Sequence, residues 1–252
     1  MKTIDLNCDL GESFGTYQIG NDDEVLSFIS SANIACGFHA GDPHVMNRTV
    51  KLAKKYDVAI GAHPGFQDLV GFGRRAMTVS PSDTYHLVLY QIGALSAFCK
   101  AHSVELTHVK PHGALYNMAA TDINIAEAIA KAIYRFDSTL ALYGLAGSKL
   151  IEAGKKYGLR TVSEVFADRT YQSDGTLTPR TLPNAIIQDS DTAIKQVLQM
   201  VKGQTVQTTT GEVIPIKADS ICVHGDNSHA LQFVKELREA LCNESIKIKA
   251  IR

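Results

Sequence analysis

Short apolar runs alternate along this chain with longer stretches of helical character, and that alternation limits the fold more than any other feature. A strand followed by a crossover helix returns the chain to the same side, so repetition of the unit calls for parallel strands flanked by helices. The apolar runs predict strands near residues 3–8, 33–36, 58–62, 106–110, 140–143, 161–165 and 220–224. Helices are expected near residues 23–29, 43–55, 81–102, 123–136, 148–157, 191–201 and 230–241. Asp42 before Pro43, and Ser80-Pro81 with Asp83, place a capping oxygen ahead of a proline that has no N–H to donate. The segment 206–216, Thr-rich around Thr210-Gly211, reads as an inserted β-hairpin. The tail 246–251 alternates apolar and basic residues, the pattern of an edge strand protected by lysines.

Seven β/α units in 252 residues favour one domain, residues 1–252, closed as a seven-stranded parallel β/α barrel. The competing doubly wound sheet lacks its G-x-G-x-x-G turn, since Gly11 and Gly15 are spaced differently. A net charge of −1 with scattered Lys and Arg gives no electrostatic case for nucleic acid or an anionic membrane. No apolar run reaches membrane-spanning length, and the first residues have no signal-like apolar core. The five cysteines are odd in number, widely spaced and never in a C-x-x-C pair, as expected of reduced thiols in the cytoplasm.

Polar residues gather where the predicted strands end. These are Asn7, Asp9 and Glu12; His39 and Asp42; His63; Lys110 and His112; Glu164, Asp168 and Arg169; and His224, Asp226 and Asn227. In a β/α barrel these ends share one rim, so residues remote in sequence converge on one pocket. Each imidazole taken alone reads equally well as a core histidine bonded to a backbone carbonyl. Six polar clusters in register with six strand ends point instead to a site. Asp5, Asn7 and Asp9 alternate and so share one face of the first strand. His44, His86, His102, His108 and His229 fall in or beside helices, or inside a strand, and read as structural or surface residues. Arg74-Arg75 after Gly71-Phe72-Gly73 is either a solvated turn or a loop that brings a guanidinium to an anion.

These positions nominate Asp9, His39, His63 and His112 as catalytic groups. Asn7, Arg75, Lys110, Glu164, Asp168, Arg169 and His224 are the candidates for substrate or phosphate binding. Asp9, His39 and His63 would be the ligands of any divalent metal. No G-x-x-x-x-G-K-[ST], H-E-x-x-H or G-x-S-x-G run is present, which argues against a P-loop, a zincin and a nucleophile-elbow hydrolase.

The motifs Asp5-Leu6-Asn7-Cys8-Asp9-Leu10-Gly11-Glu12, Ala35-Cys36-Gly37-Phe38-His39-Ala40-Gly41-Asp42, Gly61-Ala62-His63-Pro64-Gly65, Lys110-Pro111-His112-Gly113, Glu164-Val165-Phe166-Ala167-Asp168-Arg169 and Val223-His224-Gly225-Asp226-Asn227 resemble, in order, those of the LamB/YcsF family. The resemblance implies a TIM-like barrel of the glycoside hydrolase and deacetylase type. It also implies the role of the A component in a 5-oxoprolinase, which hydrolyses 5-oxoproline (pyroglutamate) to L-glutamate with ATP and Mg²⁺, alongside B and C subunits. The deacetylase kinship adds a divalent metal as a further expectation. Two other readings of the same residues stand beside this one: a metal-dependent amide or N-acetyl hydrolase working without ATP, and a non-catalytic subunit that binds a small carboxylate.

Overall fold

The computed structural model describes residues 2–223 and 230–251. His224, Asp226 and Asn227, nominated above, lie outside the described residues.

The chain runs through β1 (Thr3–Leu10), α1 (Asp22–Val25), β2 (Ser31–Ala35), α2 (Pro43–Lys55), β3 (Ala59–His63), α3 (Pro81–Ala101), β4 (Leu106–Val109), α4 (Gly113–Thr121) and α5 (Ile123–Phe136). It continues through β5 (Ala141–Leu145), α6 (Lys149–Lys156), β6 (Thr161–Phe166), α7 (Ser190–Leu198), β7 (Thr205–Gln207), β8 (Val213–Pro215), β9 (Ser220–Val223), α8 (Ala230–Asn243) and β10 (Lys247–Ile248). Strands β1 to β6 and β9 pair in parallel, and β9 pairs back onto β1 through Asp5↔Ser220 and Asn7↔Cys222. The result is the expected closed seven-stranded barrel wrapped in helices.

Period-two alternation on β1 shows how the sequence builds two environments. Ile4, Leu6, Cys8 and Leu10 turn outward into the apolar layer beneath the helices, while Asp5 and Asn7 turn inward and are equally buried. Helix α5 answers with Ile125, Ile129 and Ile133 at four-residue spacing, all buried. The proline-preceded caps form as read: Asp42 accepts from the N–H groups of His44 and Val45, and Ser80 from that of Asp83. Strands β7 and β8 make the antiparallel hairpin, its turn containing Gly211 at φ +85°. The tail strand β10 pairs with the start of β1, at the end of the barrel away from the strand tips.

Two elements depart from expectation. The helix expected over residues 23–29 is one turn, Asp22–Val25, whose first turn carries three acidic residues and ends at Leu26. Helix α4 follows immediately on the Lys110-Pro111-His112 motif, where Gly113 reads as a turn residue. Among the described residues, no helix is long and apolar enough to cross a membrane.

Candidate active site

Three polar levels climb the inside of the barrel along β1. At the lowest, Asp5 accepts hydrogen bonds from the hydroxyls of Ser30 (2.6 Å), Ser31 (2.7 Å), Ser220 (2.6 Å) and Tyr143 (3.0 Å). Burial pushes its carboxyl above the ordinary value despite these donors. This level is structural: it ties four strands to one carboxyl group.

The middle level centres on Lys110, which leaves β4 and crosses the interior. Its ammonium lies 2.7 Å from Glu164, 2.9 Å from Asp9, 3.2 Å from Asn7 Oδ1 and 3.1 Å from Cys222 Sγ. Burial opposes the charge, but the Asp9 and Glu164 carboxylates outweigh it and hold Lys110 well above the usual lysine range. The Cys222 thiol is driven up by burial. Glu164 also accepts from Tyr116 OH (2.7 Å) and Asn7 Nδ2 (2.9 Å). Asn33 Nδ2 donates to both Asn7 (2.7 Å) and Asp9 Oδ1 (2.9 Å), and its carbonyl faces His108 Nε2 at 2.9 Å.

The upper level, at the strand tips, holds Asp9, Glu12, His39, His63 and His112. His63 Nε2 lies 3.3 Å from Asp9 Oδ2 and 2.9 Å from His112 Nδ1. His39 stacks on His112, with centroids 3.7 Å apart and planes 4° from parallel, and its Nε2 is 3.3 Å from Glu12 Oε1. Burial, reinforced by neighbouring imidazoles, pushes His39 and His112 well below the usual histidine range. Burial raises the Glu12 carboxyl, against the pull of His112. Ligand-type atoms of Glu12, His39, His63 and His112 all lie within 4.8 Å of one another, so this group could hold a metal ion.

Glycines make room for these rings. A Cβ on Gly61 would come within 2.1 Å of His108 Nε2, and one on Gly73, where φ is +62°, within 2.7 Å of His39 and 2.9 Å of His112.

A cavity of about 570 Å³ opens at the strand tips. Asp9, Glu12, His63, Lys110 and His112 line it, as do Arg74, Arg169 and Arg180. The barrel therefore gathers most of the nominated residues, with four differences. His39 is buried behind Glu12 and is not among the lining residues. Asn7 and Glu164 sit a level below the lining. Arg75 lies outside the cavity: its exposed guanidinium clasps Asp68, whose carboxyl it holds at about 2, while Arg74 takes the inward place because Phe72 and Gly73, both at positive φ, turn the chain. Asp168 does not line the cavity, whereas Arg169 does, buried and bonded to the carbonyls of Ala185 (3.1 Å) and Thr178 (2.5 Å).

Sequence reasoning passes over Asn33, His108 and Tyr116. It assigns His108 to structure or surface, yet the ring is fully buried within the barrel. Its parity with Lys110 on one strand is the available signal, since residues two apart share a face.

The LamB/YcsF family model matches residues 4–252. The protein named as the A subunit of 5-oxoprolinase in Geobacillus thermodenitrificans (strain NG80-2) is 64% identical over 252 residues, covering 100% of this chain and 98% of that one. Its namesake from Bacillus subtilis (strain 168) is 57% identical over 251 residues, with the same coverage. Among solved structures, the lactam utilization protein from Thermus thermophilus superposes with a TM-score of 0.93 at 47% identity, covering 100% of both chains. A putative cellobiose-phosphate cleavage protein from Enterococcus faecalis V583 shares the fold alone, with a TM-score of 0.60 at 13% identity over 98% of this chain and 96% of that one.

Proposed function

Because this chain belongs to the LamB/YcsF family, we propose that it is the A subunit of a cytoplasmic, ATP-dependent 5-oxoprolinase, opening 5-oxoproline to L-glutamate in company with B and C subunits. The observation that carries this reading is the end-to-end match, at 57–64% identity, to chains named as the A subunit of 5-oxoprolinase. The name of the lactam utilization protein points to the same kind of bond.

The chemistry explains why the residues are of these types. Amide resonance makes a lactam carbonyl a poor electrophile. Transfer of a phosphoryl group from ATP to the lactam oxygen, with release of ADP, leaves an electrophilic carbon. Water adds to it, the ring C–N bond breaks as the nitrogen takes a proton, and a second water displaces phosphate from the resulting acyl phosphate. Such a route needs a base for the water, cations for the anionic groups and charge fixed in advance. Asp9 is the proposed base: Lys110 and Asn33 hold Oδ1, and Oδ2 is turned toward His63. His63 and His112, in contact at 2.9 Å, stand beside it in the cavity wall to stabilise developing charge. Lys110, Arg74 and Arg169 line the cavity as partners for the substrate carboxylate or the transferred phosphate. Asn7 and Glu164 anchor the Lys110 ammonium from below. A divalent ion at the imidazole cluster would add Lewis-acid polarisation when bound. ATP would arrive with Mg²⁺, seated on this chain or on a partner.

Co-expression with the B and C subunits tests the reading. The assembly should form glutamate from 5-oxoproline only when ATP is supplied, and the isolated chain should not. No glutamate from the full assembly would reject it. Nucleotide-independent hydrolysis by the chain alone would establish the metal-dependent amide hydrolase instead, a reading favoured by the imidazole–carboxylate cluster. Catalysis that survives both Asp9→Asn and His63→Gln would leave a carboxylate-binding role.

A further inference from the structure

The hydrogen-bond directions at the strand tips set four acceptor atoms in succession, from Asp9 through His63 and His112 to Glu12. His63 Nδ1 lies 2.7 Å from the Lys110 carbonyl, and a carbonyl only accepts, so Nδ1 carries the hydrogen and Nε2 a lone pair. His112 Nε2 lies 2.9 Å from the Phe72 carbonyl, so its Nδ1 carries the lone pair. Those two lone pairs face each other at 2.9 Å, from rings 84° apart. The nearest side-chain oxygens are acceptors as well: Asp9 Oδ2 is 3.3 Å from His63 Nε2, and Glu12 Oε1 is 3.7 Å from His112 Nδ1. A single proton would relieve the nitrogen pair alone. A dication would meet all four atoms.

We infer that Asp9, Glu12, His63 and His112 form a divalent transition-metal site, and that His39 stands behind it as a positioning residue for Glu12. Distance alone would count His39 as a ligand, but its orientation excludes it. An ion in the plane of the His112 ring cannot also lie in the plane of a ring stacked parallel to it at 3.7 Å. His39 Nε2 instead donates to Glu12 Oε1, which leaves Nδ1 as a lone pair, and that buried atom has no hydrogen-bond partner among the described residues. The four proposed ligands line the cavity, whereas His39 does not. A tetrahedral zinc with bonds of about 2.0–2.1 Å has ligand atoms about 3.3 Å apart. The separations of 2.9, 3.3 and 3.7 Å bracket that edge. The backbone carbonyls on the far nitrogens of His63 and His112 are the usual means of fixing a ligating imidazole.

The test uses the metal-stripped full chain, titrated calorimetrically with Zn²⁺ and spectroscopically with Co²⁺. One ion per chain should bind, and Co²⁺ should give a ligand-field spectrum of low-symmetry, four- or five-coordinate type. Asp9→Asn should lower affinity by about 100-fold or more and alter that spectrum. Since Asp9 also holds Lys110, Glu12→Gln, which leaves that ion pair intact, serves as the second ligand variant with the same expectation. His39→Gln should weaken binding by about 10–100-fold with the spectrum unchanged, as for a group that orients a ligand. Absence of stoichiometric binding would overturn the site. A spectrum altered by His39→Gln but not by Asp9→Asn or Glu12→Gln would overturn the ligand set. The titrations contain no lactam, nucleotide or partner, so their failure and that of the 5-oxoprolinase reading are separate events.

Discussion

Lys110 and Glu164 face each other across the barrel interior, 2.7 Å between ammonium and carboxylate, with 2% and 0% of their side chains exposed. Removing one charge strands the other in a medium that cannot solvate it. Lys110→Met should therefore cost about 3–5 kcal/mol of folding stability. Adding Glu164→Gln should recover part of that loss, because the stranded carboxylate goes with it. Denaturant unfolding of both variants measures the difference, and equal destabilisation would show that the pair is not coupled.

Gly61 owes its place to His108. Gly61→Ala puts a methyl group 2.1 Å from His108 Nε2, so strand β3 or the ring must move. Overpacking of this kind costs about 1–3 kcal/mol or more. His108→Ala in the same chain should restore much of the loss, read as a rise in melting temperature over the single variant.

Burial pushes His108 down to about 3. An unfolded chain would protonate this ring near pH 6.5. Between those values the unfolded state takes up a proton that the native state refuses, so stability falls as pH drops from about 6.5 to about 3. Above that window His108 contributes no pH dependence. His108→Gln should flatten the stability profile inside the window by up to about 1.4 kcal/mol per pH unit, measured by urea unfolding at several pH values. An unchanged slope would place the proton uptake elsewhere.

The adjacent arginines should separate cleanly. Arg74 lines the cavity and Arg75 is held outside by Asp68. In the assembled enzyme Arg74→Ala should raise KM by about tenfold or more, the scale of one charge-assisted contact. Arg75→Ala should leave KM within about twofold, while the Asp68 carboxyl, now at about 2, rises toward its ordinary value. Steady-state kinetics and an NMR titration of Asp68 check the two halves.

Asp9→Asn keeps the shape of the side chain and removes its basicity. Loss of a general base should lower turnover by about 10²–10⁴-fold. Turnover within a few-fold of the parent would remove Asp9 from that role.

The barrel and its mouth are legible in the sequence because both rest on periods. Strand spacing sets the fold, and the two-residue repeat of Asp5, Asn7 and Asp9 marks the inward face of β1. What stays hidden depends on turns and on partners. Which of Arg74 and Arg75 enters the cavity is decided by the positive φ angles of Phe72 and Gly73, which residue type does not announce for phenylalanine. His39 carries the strand-tip signal, yet it stacks behind His112, and only the orientation of the rings tells an inner group from an outer one. Helix α4 escapes because Gly113, at φ +55°, begins it directly after the motif.

Where many barrels of this kind pack aliphatic tiers, this one is laced from bottom to top by donors and acceptors, each committed to neighbours on other strands. Such a lattice has little tolerance for solitary drift. A change at Asn33 unsettles Asn7, Asp9 and His108 together. Variation among descendants of this interior should therefore arrive as matched exchanges across adjoining strands, or not at all.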